Sequence, residues 1–142
     1  MRYCRLTYIK TMEAKLKHLE FIQSVINRMA SNSATIKGWA ITLVAALFAL
    51  ATKDADRSFV LIAYMPLIVF WALDGYYLCR ERGYRELYEE VSIKEEREIN
   101  FSMKVGSCSK QHRLIDAILS TTLTAFYLPI MIMMLIIMYL VI

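Results

Sequence analysis

Glycine, proline and cysteine are all scarce in this 142-residue chain, and each shortage excludes a class of protein. Four glycines and two prolines leave no room for a flexible linker or a low-complexity segment. The three cysteines, Cys4, Cys79 and Cys108, form no CxxC pair, so the sequence predicts reduced thiols rather than a disulfide or zinc framework. The GxSxG, HExxH and P-loop signatures are also missing, which predicts a protein that is not an enzyme and needs no metal or cofactor.

Apolar residues are abundant and lie in long runs. They make up 58% of the chain, and the mean hydropathy is +0.41. A typical soluble domain has an apolar fraction of roughly 45–50%. Three runs are long enough to be membrane-spanning helices, at about residues 36–52, 58–79 and 115–142. The first such run begins near Ile36 with no small-residue cleavage pattern after it, so we expect no cleavable signal.

We therefore expect an all-α membrane protein with an amphipathic helix in residues 1–34 and a transmembrane domain in residues 35–142. From residue 11 to 32, apolar side chains recur at steps of three and four, as on one helix face. This stripe contains Met12, Leu16, Leu19, Ile22, Ile26 and Met29. It is expected to pack on neighbouring helices or at the lipid interface, and contact between subunits is a further hypothesis. The polar residues Ser31, Asn32 and Ser33 are expected to end this helix and cap the next.

Beyond the second run the pattern stays helical but becomes polar. We expect the second span to continue as a cytoplasmic helix to about Glu98, within a segment of residues 80–113, and a loop to follow at Asn100–His112. Residues 1–37 hold seven and residues 80–116 hold eight of the 17 lysines and arginines, whereas the connection 53–57 holds two. Basic residues favour the cytoplasmic side, so the sequence predicts a multi-pass inner-membrane protein with a cytoplasmic N-terminus.

Asp74 is the only charged residue in the second run, near its cytoplasmic end. A carboxylate at that depth normally faces another helix or water rather than lipid. One possibility is an ion pair with Lys37, which should lie at a similar depth. The other is a ring of carboxylates lining a cation pathway in an oligomer, accompanied on the last span by a polar stripe of Ser120, Thr121 and Thr124. Three spans in one chain cannot enclose a pore, so the second possibility requires several copies.

Further charged residues lie outside the runs. Glu89 and Glu90 form part of an acidic helix face that is either solvated or a cytoplasmic vestibule that concentrates cations. The basic residues expected to contact anionic headgroups or a phosphate-bearing ligand are Lys15, Lys17, Arg28, Lys37, Arg80 and Arg82.

The stretches HLEFIQSVINRMASNSATIKGW, LVAALFALA and FWALDGYYLCRERGYRELYEEV lie between His18 and Val91. In these stretches the chain resembles small bacterial membrane proteins of anti-phage defence loci, in particular the channel subunit of the Hailong system. That resemblance implies an oligomeric cation channel, gated from the cytoplasm by a nucleotide or oligonucleotide, whose opening depolarises the inner membrane. It also implies a nucleotidyltransferase as a partner.

The sequence thus favours a homo-oligomeric channel, with a tetramer as the expected assembly and lipids as further partners. Two alternatives stay open. The chain could be a non-conducting anchor that recruits a soluble enzyme, or an unselective membrane-disrupting toxin.

Overall fold

The computed structural model describes residues 2–51, 57–106, 108 and 111–141, and this part of the chain contains helices and no strands. The described residues form four α-helices: α1 (Arg2–Ala51), α2 (Arg57–Ile93), α3 (Gln111–Ile118) and α4 (Thr121–Val141). A single 3₁₀ turn, Glu96–Glu98, follows α2. The all-α prediction is confirmed at this level.

The first helix is continuous over 50 residues, or about 75 Å at 1.5 Å per residue. The predicted interruption at Ser31, Asn32 and Ser33 is therefore wrong. Two hydroxyl groups in this region form hydrogen bonds that leave the helix intact. Thr35 Oγ1 donates to the Ser31 carbonyl oxygen over 2.9 Å, and the Ser33 hydroxyl donates to Asp74 on α2. Serine and threonine can satisfy their hydroxyls in this way inside a helix, without capping an end.

The second helix continues well beyond the apolar run, as predicted, but it ends at Ile93 rather than near Glu98. Lys15 of α1 contributes to this end, because its Nζ donates to the carbonyl oxygens of Ser92 (3.1 Å) and Lys94 (2.8 Å). Carbonyl groups at a helix C-terminus lack partners within the helix, and a lysine ammonium both bonds them and matches the sign of the helix dipole. The predicted loop is present, since residues 99–106 form no helix and α3 begins at Gln111.

The last apolar run is two helices rather than one span of residues 115–142. Ile118 ends α3, and its carbonyl oxygen accepts a hydrogen bond from Trp71 Nε1 at 2.9 Å. The backbone tightens there, with Ser120 N–H bonded to the Ala117 carbonyl oxygen at 3.1 Å. Gly75 permits this close approach of α2 to α3, because a Cβ at that position would lie 3.2 Å from Ile118 Cα and closer still to the Ile118 side chain.

Two apolar cores hold the long helices together. One joins α1, α2 and α4; its buried members are Ala40, Val44, Leu67, Leu123, Tyr127 and Met134. The other lies towards the N-terminus of α1 and the C-terminus of α2, where Ile22 and Ile26 pack against Val91. The expectation that the amphipathic stripe packs on a neighbouring helix is confirmed for Ile22 and Ile26, which α2 covers within the same chain. Met12 and Leu16 of the stripe are exposed, and contact between subunits there stays a hypothesis.

Cys79 of α2 and Cys108 of the loop form a disulfide, with Cα atoms 6.1 Å apart. The prediction of three reduced thiols is wrong for these two residues. They meet because the loop folds back along α2, where Val105 packs over Gly83 and Cys108 joins a small core with Cys79 and Ala117. Sequence spacing cannot indicate a pairing across 29 residues that depends on this fold-back.

Among the described residues, one helical stretch, Thr11–Ala49 in α1, is long and apolar enough to cross a membrane. The apolar stretch Thr121–Ile137 in α4 is shorter. Many large apolar side chains on the outer faces of the helices are exposed, among them Trp39, Met65, Ile68, Val69, Ile132, Met133, Leu135 and Ile136. These features are compatible with membrane association and do not establish three crossings.

Candidate functional site

Asp74 lies at the centre of a polar network between α1, α2 and α4. Its side chain has no exposed surface, and Lys37 Nζ lies 2.6 Å from its Oδ2 atom. Ser33 donates a hydrogen bond to Oδ1 at 2.5 Å, and the Tyr127 hydroxyl donates to Oδ2 at 3.2 Å. One carboxylate therefore binds three side chains from two neighbouring helices.

The two α1 members are one helical turn apart, which places Ser33 and Lys37 on the same face. Lys37 Nζ donates to Ser33 Oγ at 2.7 Å, so the serine both accepts from the lysine and donates to the carboxylate. The ammonium also lies 5.9 Å from the centre of the Phe126 ring on α4. The Lys37 side chain keeps 22% of its surface exposed and Ser33 is half-buried, so the network reaches the surface on its α1 side.

Aromatic residues close the α4 side of the network. Tyr127 is fully buried, stacks on Trp71 with ring centres 5.8 Å apart, and also approaches the Phe70 carbonyl oxygen at 3.5 Å. Trp71 in turn bonds the end of α3. The network thus connects Asp74 with the junction between α3 and α4.

The arrangement neutralises a buried charge and fixes the packing of three helices. A buried carboxylate requires both a counter-charge and hydrogen-bond donors, and here it has all three kinds of donor: ammonium, alcohol and phenol. Of the two alternatives for Asp74, the geometry favours the pair with Lys37, because a side chain without exposed surface cannot line a pathway unless the helices rearrange. No group of three or more metal-ligating side chains occurs in the described part of the chain.

The predicted polar stripe consists of Ser120, just before α4, and Thr121 and Thr124 in the first turn of α4, and the described structure shows no hydrogen bond between it and this network. Thr121 is exposed and Thr124 is half-buried, whereas Ser120 carries a buried hydroxyl with no hydrogen-bond partner among the described residues. None of the three bonds Asp74, whose hydrogen bonds in the described structure go to α1 and to Tyr127. The predicted grouping of Asp74 with this stripe is therefore not observed within one chain.

The predicted acidic and basic residues have separate environments. Glu89 is exposed, and Glu90 is exposed and pairs with Lys94 at 2.5 Å. Lys15 binds the end of α2 as described above, and Arg80 lies 6.0 Å from the centre of the Tyr84 ring.

The remaining three basic residues line concave surfaces. Arg82 lines a small cavity beside Cys79, while Lys17 and Arg28 line a larger groove on α1. The six predicted basic residues therefore do not form one site.

Sequence reasoning missed two members of the network, Ser33 and Tyr127. A signal for each existed in the spacing. Ser33 precedes Lys37 by four residues, and Tyr127 follows Ser120 and Thr124 at steps that keep one helix face. The polarity of residues 31–33 favours a helix boundary over a tertiary contact for Ser33, and Tyr127 has no role in the predictions from sequence.

The sequence matches no protein-family model, no curated protein and no solved structure.

Proposed function

We propose that copies of this chain assemble into an α-helical membrane channel whose closed arrangement is held by the Lys37–Asp74 network. The observation that carries the proposal is a neutralised pair, fully buried at its acidic end, among helices whose outer faces expose large apolar side chains. Exposed apolar faces of this extent suit lipid or other copies of the chain rather than water.

Three crossings are proposed for each chain: the C-terminal part of α1 from about Ile36, the N-terminal part of α2, and α4. The 21 residues of α4 extend about 31 Å, which matches a hydrocarbon core of about 30 Å. The distribution of the basic residues supports an N-terminus and a segment after α2 on the cytoplasmic side of a bacterial inner membrane. In this arrangement the network lies near the cytoplasmic end of the crossings.

An ion pathway requires several copies, and a tetramer is the assembly we favour. The short polar side chains at the start of α4, Thr121 and Thr124, are the proposed lining, because they are at least partly exposed on an otherwise apolar helix. Asp74 is proposed to face the pathway only after the network opens, when its charge would favour cations. The acidic residues Glu89 and Glu90 lie on the cytoplasmic extension of α2, where they would raise the local cation concentration.

Control by a cytoplasmic nucleotide or oligonucleotide from a partner nucleotidyltransferase, and depolarisation as a defence against phage, rest on the sequence resemblance alone. The packed core of Ile22, Ile26 and Val91 supports a second candidate function. This core packs the N-terminal part of α1 against the C-terminal part of α2, so that the two helices extend together beyond the proposed crossings. An anchor for a soluble partner would need such an extension. An unselective membrane-disrupting toxin is the third possibility.

A vesicle experiment separates these functions. Purified protein is reconstituted into vesicles loaded with K⁺ and a large anionic dye, and both contents are followed after dilution. The channel proposal predicts K⁺ release with the dye retained. Retention of both contents under every condition would favour the anchor, and release of both would favour the toxin.

A further inference from the structure

The disulfide between Cys79 and Cys108 joins α2 to the segment just before α3. Cys79 is 5% exposed and Cys108 is 8% exposed, and both pack against Ala117 of α3, which is fully buried. Their separation of 29 residues spans the end of α2 and the loop that folds back along it. The disulfide therefore helps to fix the position of this loop and of α3 relative to α2.

The location of this disulfide in the cell determines how long it lasts. Residues 80–116 hold eight of the 17 lysines and arginines, which supports a cytoplasmic position for this segment. Cytoplasmic reductants keep thiols reduced, so disulfides are rare there and are usually transient, either catalytic or redox-sensing. A disulfide in this segment is therefore expected to open and close with the redox state of the cell. This step rests on the topology in the proposed function, whereas the disulfide and its contacts do not.

A small cavity leads from the surface to Cys79. Its volume is ≈ 150 Å³, and Cys79 lines it together with Arg82, Glu86 and Asp116. These three charged residues are exposed, so the cavity reaches the surface. A thiolate opens a disulfide by attacking one of its sulfur atoms, and the rate depends on access to that atom. The geometry therefore favours attack at Cys79, with Cys108 as the leaving group.

The third helix depends on the contacts that the disulfide helps to hold. It has 8 residues, fewer than the about 12–15 that an isolated helix needs to be stable in water. Its contacts with α2 are the small core at Cys79, the close approach of Ile118 to Gly75 and the hydrogen bond from Trp71 to the Ile118 carbonyl oxygen. Opening the disulfide removes the covalent link from this set, so α3 is expected to loosen.

Loosening of α3 would be felt at the Asp74 network. Trp71, which bonds the end of α3, stacks on Tyr127 of α4, and the Tyr127 hydroxyl donates to Asp74. The disulfide is thus connected to the network through a continuous series of contacts. Each of these contacts lies within one chain.

We propose that Cys79 and Cys108 form a reversible redox switch that a cytoplasmic dithiol reductant opens, loosening α3 and its junction with α4. One thiolate of the reductant attacks the Cys79 sulfur, the S–S bond breaks, and Cys108 leaves as a thiolate. The second thiolate of the reductant then displaces Cys79 from the mixed disulfide. Two electrons pass to the chain, each cysteine takes up one of the protons that the reductant released, and the reductant ends as a disulfide.

Thiol trapping in cells tests whether the disulfide is reversible. Cells that produce the full chain are quenched in acid, and free thiols are then labelled under denaturing conditions with a maleimide that adds mass on a gel. The chain has three cysteines, so the reduced form carries three labels and the disulfide form one. Growing cells are expected to show mainly three labels. Treatment with the thiol oxidant diamide should convert them to one label, and removal of diamide should restore three.

The number of labels also gives the results that would overturn the proposal. One label both before and after diamide would show a permanent structural disulfide, and three labels under both conditions would show that the pair does not form in cells. Cys108→Ser is the control and should carry two labels under both conditions.

Hydrogen exchange of the purified chain in detergent tests what the switch does. After reduction by dithiothreitol, the backbone amides of α3 are expected to exchange about tenfold faster, because local opening becomes easier, while those at Ile22 and Ile26 in the separate core stay unchanged. Cys108→Ser should match the reduced chain without dithiothreitol, and Cys4→Ser should match the unsubstituted chain. Equal exchange of α3 in both redox states, or faster exchange in every helix, would overturn the proposal. Neither measurement uses ion flux, so failure here and failure of the channel proposal remain distinguishable.

Discussion

The Asp74 carboxylate has no exposed surface, yet it is bonded by an ammonium, an alcohol and a phenol. Removing a carboxylate and an ammonium from water costs several kcal/mol per ion, and their attraction offsets that cost only with good geometry and further hydrogen bonds. Ser33 and Tyr127 supply those bonds. The pair is therefore expected to specify how α1, α2 and α4 fit together more than to add net stability.

Breaking the pair from one side tests this view. Asp74→Asn leaves the Lys37 ammonium without its counter-charge, and truncating one partner of a buried pair typically costs about 3–5 kcal/mol. Because the Lys37 side chain is partly exposed, we expect the free energy of unfolding to fall by about 3 kcal/mol, the lower end of this range. Adding Lys37→Met should recover more than half of that loss. Unfolding in detergent by circular dichroism measures both changes.

The exposed pair of Glu90 and Lys94 is the matched control for this cycle. Glu90→Gln should change the free energy of unfolding by less than about 1 kcal/mol, because water and salt screen that pair. The pairing at Asp74 would be disproved by a double variant no more stable than Asp74→Asn alone.

The sequence identified Asp74 and Lys37 as candidate partners but did not determine how the residues of the site are arranged. Hydropathy revealed that Asp74 was the only charge in its run, and counting along the helices placed Lys37 at a similar depth. The choice between an intrachain pair and a ring of carboxylates depends on how each helix is rotated about its axis. That rotation is set by contacts 41 residues apart for Ser33 and 53 apart for Tyr127, which a single sequence does not reveal.

At the scale of helices, the approach of α2 to α3 depends on Gly75. Gly75→Ala would place a methyl group against the backbone and side chain of Ile118, and overpacking of this kind typically costs about 1–3 kcal/mol. Gly38→Ala is the matched control, since a Cβ there meets nothing within 4 Å. The control should be neutral or stabilise the helix by up to about 1 kcal/mol. Equal effects of the two substitutions on thermal unfolding would contradict the packing described.

The division between α3 and α4 shows why hydropathy alone could not find this helix boundary. Apolar residues continue through Leu119, and Ser120 is polar but small. The separation involves the Ile118 carbonyl oxygen, which bonds Trp71 from a helix 47 residues earlier. By contrast, the helical extension after the second run was predictable, because its apolar stripe keeps a period of three and four into the packed core at Val91.

The disulfide between Cys79 and Cys108 attaches the loop to α2. Closing a loop of 29 residues is expected to stabilise the oxidised chain by about 3–4 kcal/mol in the chain-entropy description. Cys79→Ser should therefore lower the unfolding temperature under oxidising conditions, and dithiothreitol should lower that of the unsubstituted chain to a similar value. Cys4→Ser is the control and should have no such effect. Labelling of all three cysteines by a maleimide in the unfolded, unreduced chain would contradict the disulfide.

At the scale of the whole molecule, the all-α class and the amphipathic N-terminal helix followed from composition and periodicity. The number of crossings is a prediction at this scale. It rests on the basic residues, of which 15 of 17 lie on one side of the membrane in the proposed topology. A reporter fused after Asp54 should be periplasmic and one fused after Ser107 cytoplasmic. Reporter activity on the same side at both positions would contradict three crossings.

Single-channel recording of the purified chain in a planar bilayer under a KCl gradient tests the central proposal most directly. The proposal predicts discrete openings whose reversal potential is displaced towards the K⁺ equilibrium potential. Thr121→Val together with Thr124→Val should reduce the conductance of the assembled oligomer, because the substitutions keep the shape of the side chains and remove their hydroxyl groups. No current, or irregular leak that reverses at zero potential, would contradict the channel.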